Sequence, residues 1–270
     1  MADPLVVDNG DRLTGIIDRK KVSIVAGGGR GIGKEVAQQL SILDHKVVVL
    51  DFPEPSDLGV YKSGSILSSE YSAFGVDLRD AKATAICAQE INAQYGPIDT
   101  LSITVGAIDG GRSFLELSDT EIVEAVTNNF TAVHNCITAF VPYLTTDPWS
   151  NPFTRSIVAL TSVASIKVLR GLASYSAAKG GLRSYLMVAA VELSDIEIRL
   201  NIVAPGSTRG AMLDASRDLY GLSSSDEFAT HHLSKRIIEA DEVAQAILSL
   251  HQNPSMVASE LVIDGGMARS

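Results

Sequence analysis

The sequence predicts an α/β fold, a doubly wound parallel sheet within a single domain. Apolar, β-branched runs recur at VSIVA (22–26), KVVVLD (46–51), DTLSITV (99–105), SIVALTS (156–162), IRLNIVAP (198–205) and ELVID (260–264). Unbroken runs of this length read as strands buried on both faces. Between them, at about 31–43, 81–95, 118–142, 174–194 and 240–251, apolar residues fall at three- and four-residue spacings, the period of amphipathic helices. Strands alternating with helices build right-handed βαβ units and a sheet covered on both sides.

A chain of 270 residues with 46% apolar and 20% charged residues can bury one substantial core and falls outside the composition of disordered chains. The domain is expected over 19–270, preceded by a flexible arm, 1–18. That arm, MADPLVVDNGDRLTGIID, holds four Asp and no long apolar stretch, so it matches neither a signal peptide nor a membrane span. The formal charge of −10 and the absence of a basic run argue against nucleic acid, whose binding relies on clustered Lys and Arg. Cys87 and Cys136 have no metal-like or CxxC spacing and read as reduced core thiols, which suits a cytoplasmic protein. His134, His231 and His232 lack metal-like partners and read as surface or lid residues, so no metal site is expected.

Three stretches are irregular: 52–70, 145–155 and 206–235. Open α/β sheets bind ligands at the carboxyl ends of their strands. The loop around Trp149 enters a strand at its other end and is assigned a structural role. The stretch leaving IRLNIVAP is at the carboxyl end and long enough to form a substrate lid, about 207–235.

Strand 22–26 runs into AGGGRGIG (26–33) and then into the helical KEVAQQL. Glycines permit a tight turn and let a pyrophosphate approach the amides at a helix N-terminus. The second strand ends about twenty residues later on Asp51, where a carboxylate can take adenosine ribose hydroxyls. The turn residues Gly27, Gly29, Arg30, Gly31, Ile32 and Gly33, with Asp51 and Phe52, are therefore the candidate dinucleotide contacts. Further along, Tyr175 and Lys179 are i and i+4 and share one helix face. Ser162 ends the strand SIVALTS, and Asn129 lies on the helix before it.

The GxxxGxG spacing of Gly27, Gly31 and Gly33, with Ser162 and the YxxxK pair, resembles the short-chain dehydrogenase/reductase family over about residues 20–266. VDLRD (76–80) is similar to the family's adenine-contacting Asp-hydrophobic pair, Asp77 and Leu78; APGS (204–207) resembles its PG turn and VIDGG (262–266) its closing strand. The resemblance implies a Rossmann-like fold and an Asn-Ser-Tyr-Lys tetrad of Asn129, Ser162, Tyr175 and Lys179, with Asn128 the alternative should the helix register shift by one. It also implies cofactor contacts at Thr104, Val105, Gly106, Pro205, Gly206, Ser207 and Thr208 as well as at Tyr175 and Lys179. A free phenol titrates near 10, too high for an efficient base at neutral pH, and a neighbouring ammonium favours its anion. The implied activity is an NAD(P)-dependent interconversion of an alcohol and a ketone. Epimerisation or elimination through the same cofactor, and non-catalytic dinucleotide binding on this fold, are the alternatives.

Two places depart from the family pattern. Its Asn-Asn-Ala-Gly strand end is here Ile103-Thr104-Val105-Gly106, so either Thr104 or a water has to replace part of what the amides do. The threonine often found four residues after the PG glycine is Gly210, leaving Thr208 as the nearest hydroxyl. NAD is expected over NADP, because Asp51 would face a 2′-phosphate and FPEPSD after it adds acid, although Arg30 pulls the other way. Ile108, Phe114, Val168, Leu169, Leu172, Met212 and Leu213 at the strand ends point to an apolar substrate; Arg112, Lys167, Arg170 and Arg209 oppose this. The resemblance, with apolar residues such as Ala189, Val191 and Leu193 around one helix, implies a homotetramer.

Overall fold

The computed structural model describes residues 19–52, 65–66, 71–108, 110–144 and 154–270. The expected arm 1–18, most of the acidic run after Asp51 and the Trp149 loop lie outside the described residues. Eight strands form one sheet: β1 Val22–Ala26, β2 Lys46–Asp51, β3 Ser65–Ile66, β4 Tyr71–Gly75, β5 Thr100–Ile103, β6 Ser156–Leu160, β7 Arg199–Pro205 and β8 Glu260–Ile263, in the order β3-β4-β2-β1-β5-β6-β7-β8. Every neighbouring pair is parallel except β3 with β4. The order reverses between β1 and β5, which opens a crevice above their carboxyl ends.

The helices are α1 Gly31–Ile42, α2 Ala81–Tyr95, α3 Asp119–Val126, α4 Ala132–Phe140, α5 Ala173–Ser194, α6 Ala211–Tyr220 and α7 Ala240–Gln252. Alternate strand residues feed two cores. Ile24, Val48, Leu101, Ile157 and Ile202 pack with residues of α2, α4 and α5, while Val25, Val49, Val158 and Val203 pack with those of α1 and α7. Cys87 and Cys136 are free thiols buried in the first core. Burial pushes the Cys87 thiol up to about 12 and Cys136 higher still, which leaves both without thiolate character.

Four elements differ from the sequence reading. β3 lies inside the stretch read as irregular, and β4 is additional; its YSAFG carries no β-branched residue and is a strand because it pairs with β2 from Val47↔Tyr71 to Asp51↔Gly75. The expected lid contains a real helix, α6. The expected continuous helix over 118–142 is broken by a π-turn, Thr127–Thr131, between α3 and α4. Such a turn preserves the apolar spacing on either side, so sequence periodicity does not reveal it.

At the amino end of the sheet a polar row replaces apolar packing. Ser23, Thr100, Ser156 and Arg199 are register partners on β1, β5, β6 and β7, and all are buried. Thr100 donates to Ser23 at 2.8 Å, Ser23 shares a hydrogen bond with His45 at 2.7 Å, and Ser102 does so with His251 at 2.8 Å. Arg199 donates to the carbonyls of Leu250, His251 and Met256 at 2.8, 2.7 and 3.1 Å, capping the end of α7 where helix carbonyls lack partners. Burial, with Arg199 next in influence, holds His251 down to about 3, so it is neutral in the folded protein.

Candidate functional site

The glycine turn connects β1 to α1 beside the crevice. Gly27 N–H donates to Leu50 O at 2.7 Å, and Gly29 N–H donates to the Asp51 carboxylate at 2.7 Å. The other Asp51 oxygen accepts from Phe52 N–H at 2.8 Å, so the carboxylate is fixed at the edge of the turn. Arg30 is exposed as the residue before α1, with no side-chain cap and no acid in the helix's first turn. A Cβ on Gly33 would lie 2.1 Å from Gly27 O and 2.5 Å from Thr104 Oγ1. Gly33→Ala is therefore expected to displace the turn and abolish dinucleotide binding, which titration of the purified variant would show; retention of wild-type affinity would mean that the turn has slack.

Thr104 ties β5 to the end of β1. Its hydroxyl donates to Ala26 O at 2.9 Å and lies 3.1 Å from Gly27 O, while its own N–H donates to Ala26 O at 2.8 Å. β5 is thus tied to the base of the glycine turn by side chain as well as backbone. Val105 follows half-buried. At Gly106 a Cβ would fall 2.8 Å from Asn129 Oδ1 and 3.2 Å from Lys179 Nζ, so any larger residue would have to push these two side-chain ends aside.

The π-turn aims Asn129 inward. Its Nδ2 donates to Ala107 O and Ala125 O at 2.9 and 3.0 Å, and its Oδ1 accepts from Ala107 N–H at 3.1 Å. Asn128 points elsewhere and accepts from Arg79 at 3.3 Å, which removes it as the alternative. Ser162 follows β6 and caps a short 3-10 turn, Val163–Ser165, with its hydroxyl close to the Tyr175 phenol. Tyr175 and Lys179 lie on the buried face of α5, at 6% and 2% exposure. Lys179 donates to Leu160 O at 3.3 Å, with its Nζ 6.0 Å from the Tyr175 ring centre. Burial drives the two groups toward neutrality: it raises the phenol, with partial relief from Ser162, and lowers Lys179 to about 8.

The remaining candidates divide in two. Asp77 pairs with Arg79, which holds its carboxyl below the usual range, and Leu78 is buried. Pro205 ends β7, Gly206 N–H donates to Ile263 O, and Ser207 O accepts from Ile238 N–H. Thr208 turns its hydroxyl back to Gly206 O at 3.1 Å. Of the expected substrate-facing residues, Phe114, Val168 and Leu169 line a cavity of about 300 Å³. Ile108, Leu169 and Leu172 pack with Tyr175, whereas Leu213 belongs to a separate cluster with Phe228 and Ile237, and Met212 is partly exposed. His232, read as a surface or lid residue, is fully buried and bonds through Nδ1 to Arg236 O at 2.6 Å; a chain turning in on itself at this point leaves no periodic signal. Among the described residues no group of three or more His, Cys, Asp or Glu is arranged to hold a metal.

Sequence reasoning missed Arg79 and the cluster of Gly110, Gly111 and Gly171. Gly111 N–H donates to Gly171 O at 2.9 Å, a Cβ on Gly111 would meet Leu219 O at 2.6 Å, and Tyr220 O–H donates to Arg170 O at 2.6 Å. The end of α6 is thereby seated on the loops beside Tyr175. The glycine pair was visible, but nothing in the sequence names its partner.

A family model described as "Enoyl-(Acyl carrier protein) reductase" matches residues 26–268. The chain is 29% identical over 250 residues to mouse 3-oxoacyl-[acyl-carrier-protein] reductase, covering 92% of this chain and 98% of that one. It is 28% identical to short-chain dehydrogenase reductase 3a of Arabidopsis thaliana, at 91% and 94% coverage. In fold it is similar to ligand-free Thermoplasma acidophilum aldohexose dehydrogenase, with TM-score 0.80 and 22% identity over 93% of this chain and 95% of that one. It is also similar to the structure of ElxO with NADP bound, with TM-score 0.78 and 21% identity over 93% and 100%. The chain belongs to the short-chain dehydrogenase/reductase family of NAD(P)-dependent oxidoreductases.

Proposed function

We propose that this protein interconverts a largely apolar secondary alcohol and its ketone, with NAD preferred over NADP. The observation that carries the reading is the convergence of Tyr175, Ser162, Lys179 and Asn129 at the carboxyl edge of the sheet, next to a turn shaped for a dinucleotide. The turn fits such a cofactor: α1 begins uncapped, a Cβ at Gly31 would meet nothing within 4 Å, and Asp51 stands at its edge. Glycine-turn amides would hold the pyrophosphate, Asp51 the adenosine ribose, and Lys179 with the Thr104–Gly106 and Pro205–Thr208 segments the nicotinamide half. Bound nicotinamide supplies the hydride acceptor or donor and, when oxidised, a positive charge. Ser162 holds the substrate oxygen, Tyr175 removes or returns its proton, and Lys179 stabilises the phenolate. Asn129 keeps Gly106–Ala107 and the base of α3 in register and supports the proton path from Lys179.

An uncharged substrate is supported by the fate of the nearby cations. Arg112 pairs with Glu121 at 2.9 Å, Lys167 donates to Met267 O and Ser270 O at 2.7 and 2.9 Å, and Arg209 pairs with Asp226 and Glu239. Residues 207–235, seated through Tyr220 on the Arg170 loop, serve as the lid. Purified protein should oxidise or reduce members of an alcohol and ketone panel, followed by nicotinamide absorbance, and a clear preference for carboxylate or phosphate substrates would defeat the apolar reading. In the same assay NAD should exceed NADP by at least about tenfold in kcat/KM, the repulsion expected of two charges roughly 4 Å apart after solvent screening. Asp51→Ser should narrow that gap. Equal efficiency with NADP, the cofactor named with ElxO, would show that Arg30 sets the choice.

A homotetramer and a cytoplasmic setting complete the reading, the latter resting on the two free cysteines. Ile122, Val123 and Val126 on α3 and Val188 and Val191 on α5 are exposed apolar residues, whereas Ala189 and Leu193 pack against the protein's own core. Light scattering should give four chains per particle; a stable monomer at micromolar concentration would refute it. Among the described residues no helix is long and apolar enough to cross a membrane.

A further inference from the structure

We propose that the Arg79 side chain occupies the adenine subsite and has to be displaced for the dinucleotide to bind. The proposal rests on the dinucleotide reading above. The strand order fixes where the adenine goes. Tyr175, Ser162 and Lys179 lie on the β5–β6 side of the glycine turn, so a dinucleotide with its pyrophosphate on that turn lays its adenosine over the ends of β2 and β4. These strands leave the sheet together, with Asp51 paired to Gly75 and Val76 N–H donating to Asp51 O at 2.9 Å. Phe52 and Asp77 therefore flank one gap.

The Arg79 guanidinium fills that gap. It lies 5.1 Å from the centre of the Phe52 ring, and its Nε and one terminal nitrogen donate to the two Asp77 oxygens at 2.8 Å each. Its other terminal nitrogen donates to Asn128 Oδ1 at 3.3 Å, and its carbonyl accepts from the Asn135 amide at 3.0 Å. The backbone is pinned while the head group spans three segments. A guanidinium and an adenine make the same demands, a flat aromatic face and an acceptor for N–H groups. Ring and guanidinium cannot lie on the same Phe52 face at once. The Arg79 side chain is 42% exposed, so solvent offers it a way out. An exposed ion pair and an exposed cation–π contact are each weak, which makes the residue a brake on affinity rather than a block.

The test is a set of binding titrations by calorimetry with NADH, NADPH, AMP as the adenine-half probe and nicotinamide mononucleotide as the other half. Arg79→Ala should bind AMP and NADH about three- to tenfold more tightly and leave nicotinamide mononucleotide unchanged. Arg79→Lys, which keeps the charge but loses the fork, should tighten both less, and it carries the test if the alanine variant does not fold. Unchanged or weaker AMP binding by a folded variant overturns the brake, and a loss confined to NADPH overturns it by making Arg79 a 2′-phosphate contact. Failure of the unmodified protein to bind either dinucleotide would instead overturn the dinucleotide reading itself.

Discussion

Tyr175→Phe is expected to lower turnover by at least about 10²–10⁴-fold, the usual contribution of a positioned general acid or base, while cofactor affinity stays within about twofold. The substitution removes one oxygen from a side chain that already packs with Ala164, Leu172, Ile108 and Leu169, so the ring keeps its place. Ser162 stays in place by accepting from Ala164 N–H at 3.1 Å. Burial raises the phenol and brings Lys179 down to about 8, so the chain alone does not make Tyr175 a ready base. Its activation has to come from Lys179 remaining protonated and from positive charge brought by the oxidised cofactor. Turnover measured beside a cofactor titration checks this, and a variant retaining half its activity would remove Tyr175 from the reaction.

The second large effect is on stability and lies at the other edge of the sheet. Arg199→Met is expected to cost about 3–5 kcal/mol, because the Leu250 and His251 carbonyls in the last turn of α7 and the Met256 carbonyl beyond it lose a charged donor in a buried setting. The melting temperature should fall on the order of 10 °C, with kcat little changed at temperatures where the variant is folded. Urea unfolding should show a lower midpoint at unchanged slope. A shift of only a degree would mean that the row from Ser23 to Arg199 is incidental to stability. The neutral state of His251 adds a pH dependence with a definite sign. Its folded value, about 3, lies below the unfolded value of about 6.5, so its contribution is fully present above pH 6.5 and is lost as the pH falls toward 3.

Five of the six apolar runs could be read from the sequence because each is buried on both faces, which leaves an unbroken hydrophobic signature; the sixth, β8, lies at the sheet edge with Val262 exposed, against the expectation of a strand covered on both sides. β4 could not, since Ser72 and Gly75 dilute its pattern and its identity as a strand comes from β2. Asn129, Ser162, Tyr175 and Lys179 were legible as spacings around strand ends and one helix face, and the structure brings all four together. The choice between Asn128 and Asn129 was not legible, because it depends on the helix register within Thr127–Thr131. Arg79 escaped for a related reason: VDLRD shows a charge beside a motif, but only the pairing of β2 with β4 puts that charge over Phe52. His232 escaped because its burial comes from tertiary packing around a loop.

The π-turn between α3 and α4 amounts to one residue more than a regular helix would use over the same span. Each residue advances a helix by roughly 100°, so removing one, for example Thr127, would let the segment rewind into an unbroken rod. The α4 half could keep its seat against α2, and the fold would survive. Everything before the deletion would rotate by that angle, and the contacts that Asn129 makes with Ala107 and Ala125 could no longer coexist. A protein shortened in this way would be a folded relative in which Asn129 no longer bridges Ala107 and Ala125. When this segment is aligned with another chain, a single-residue gap here therefore carries more functional information than many substitutions elsewhere.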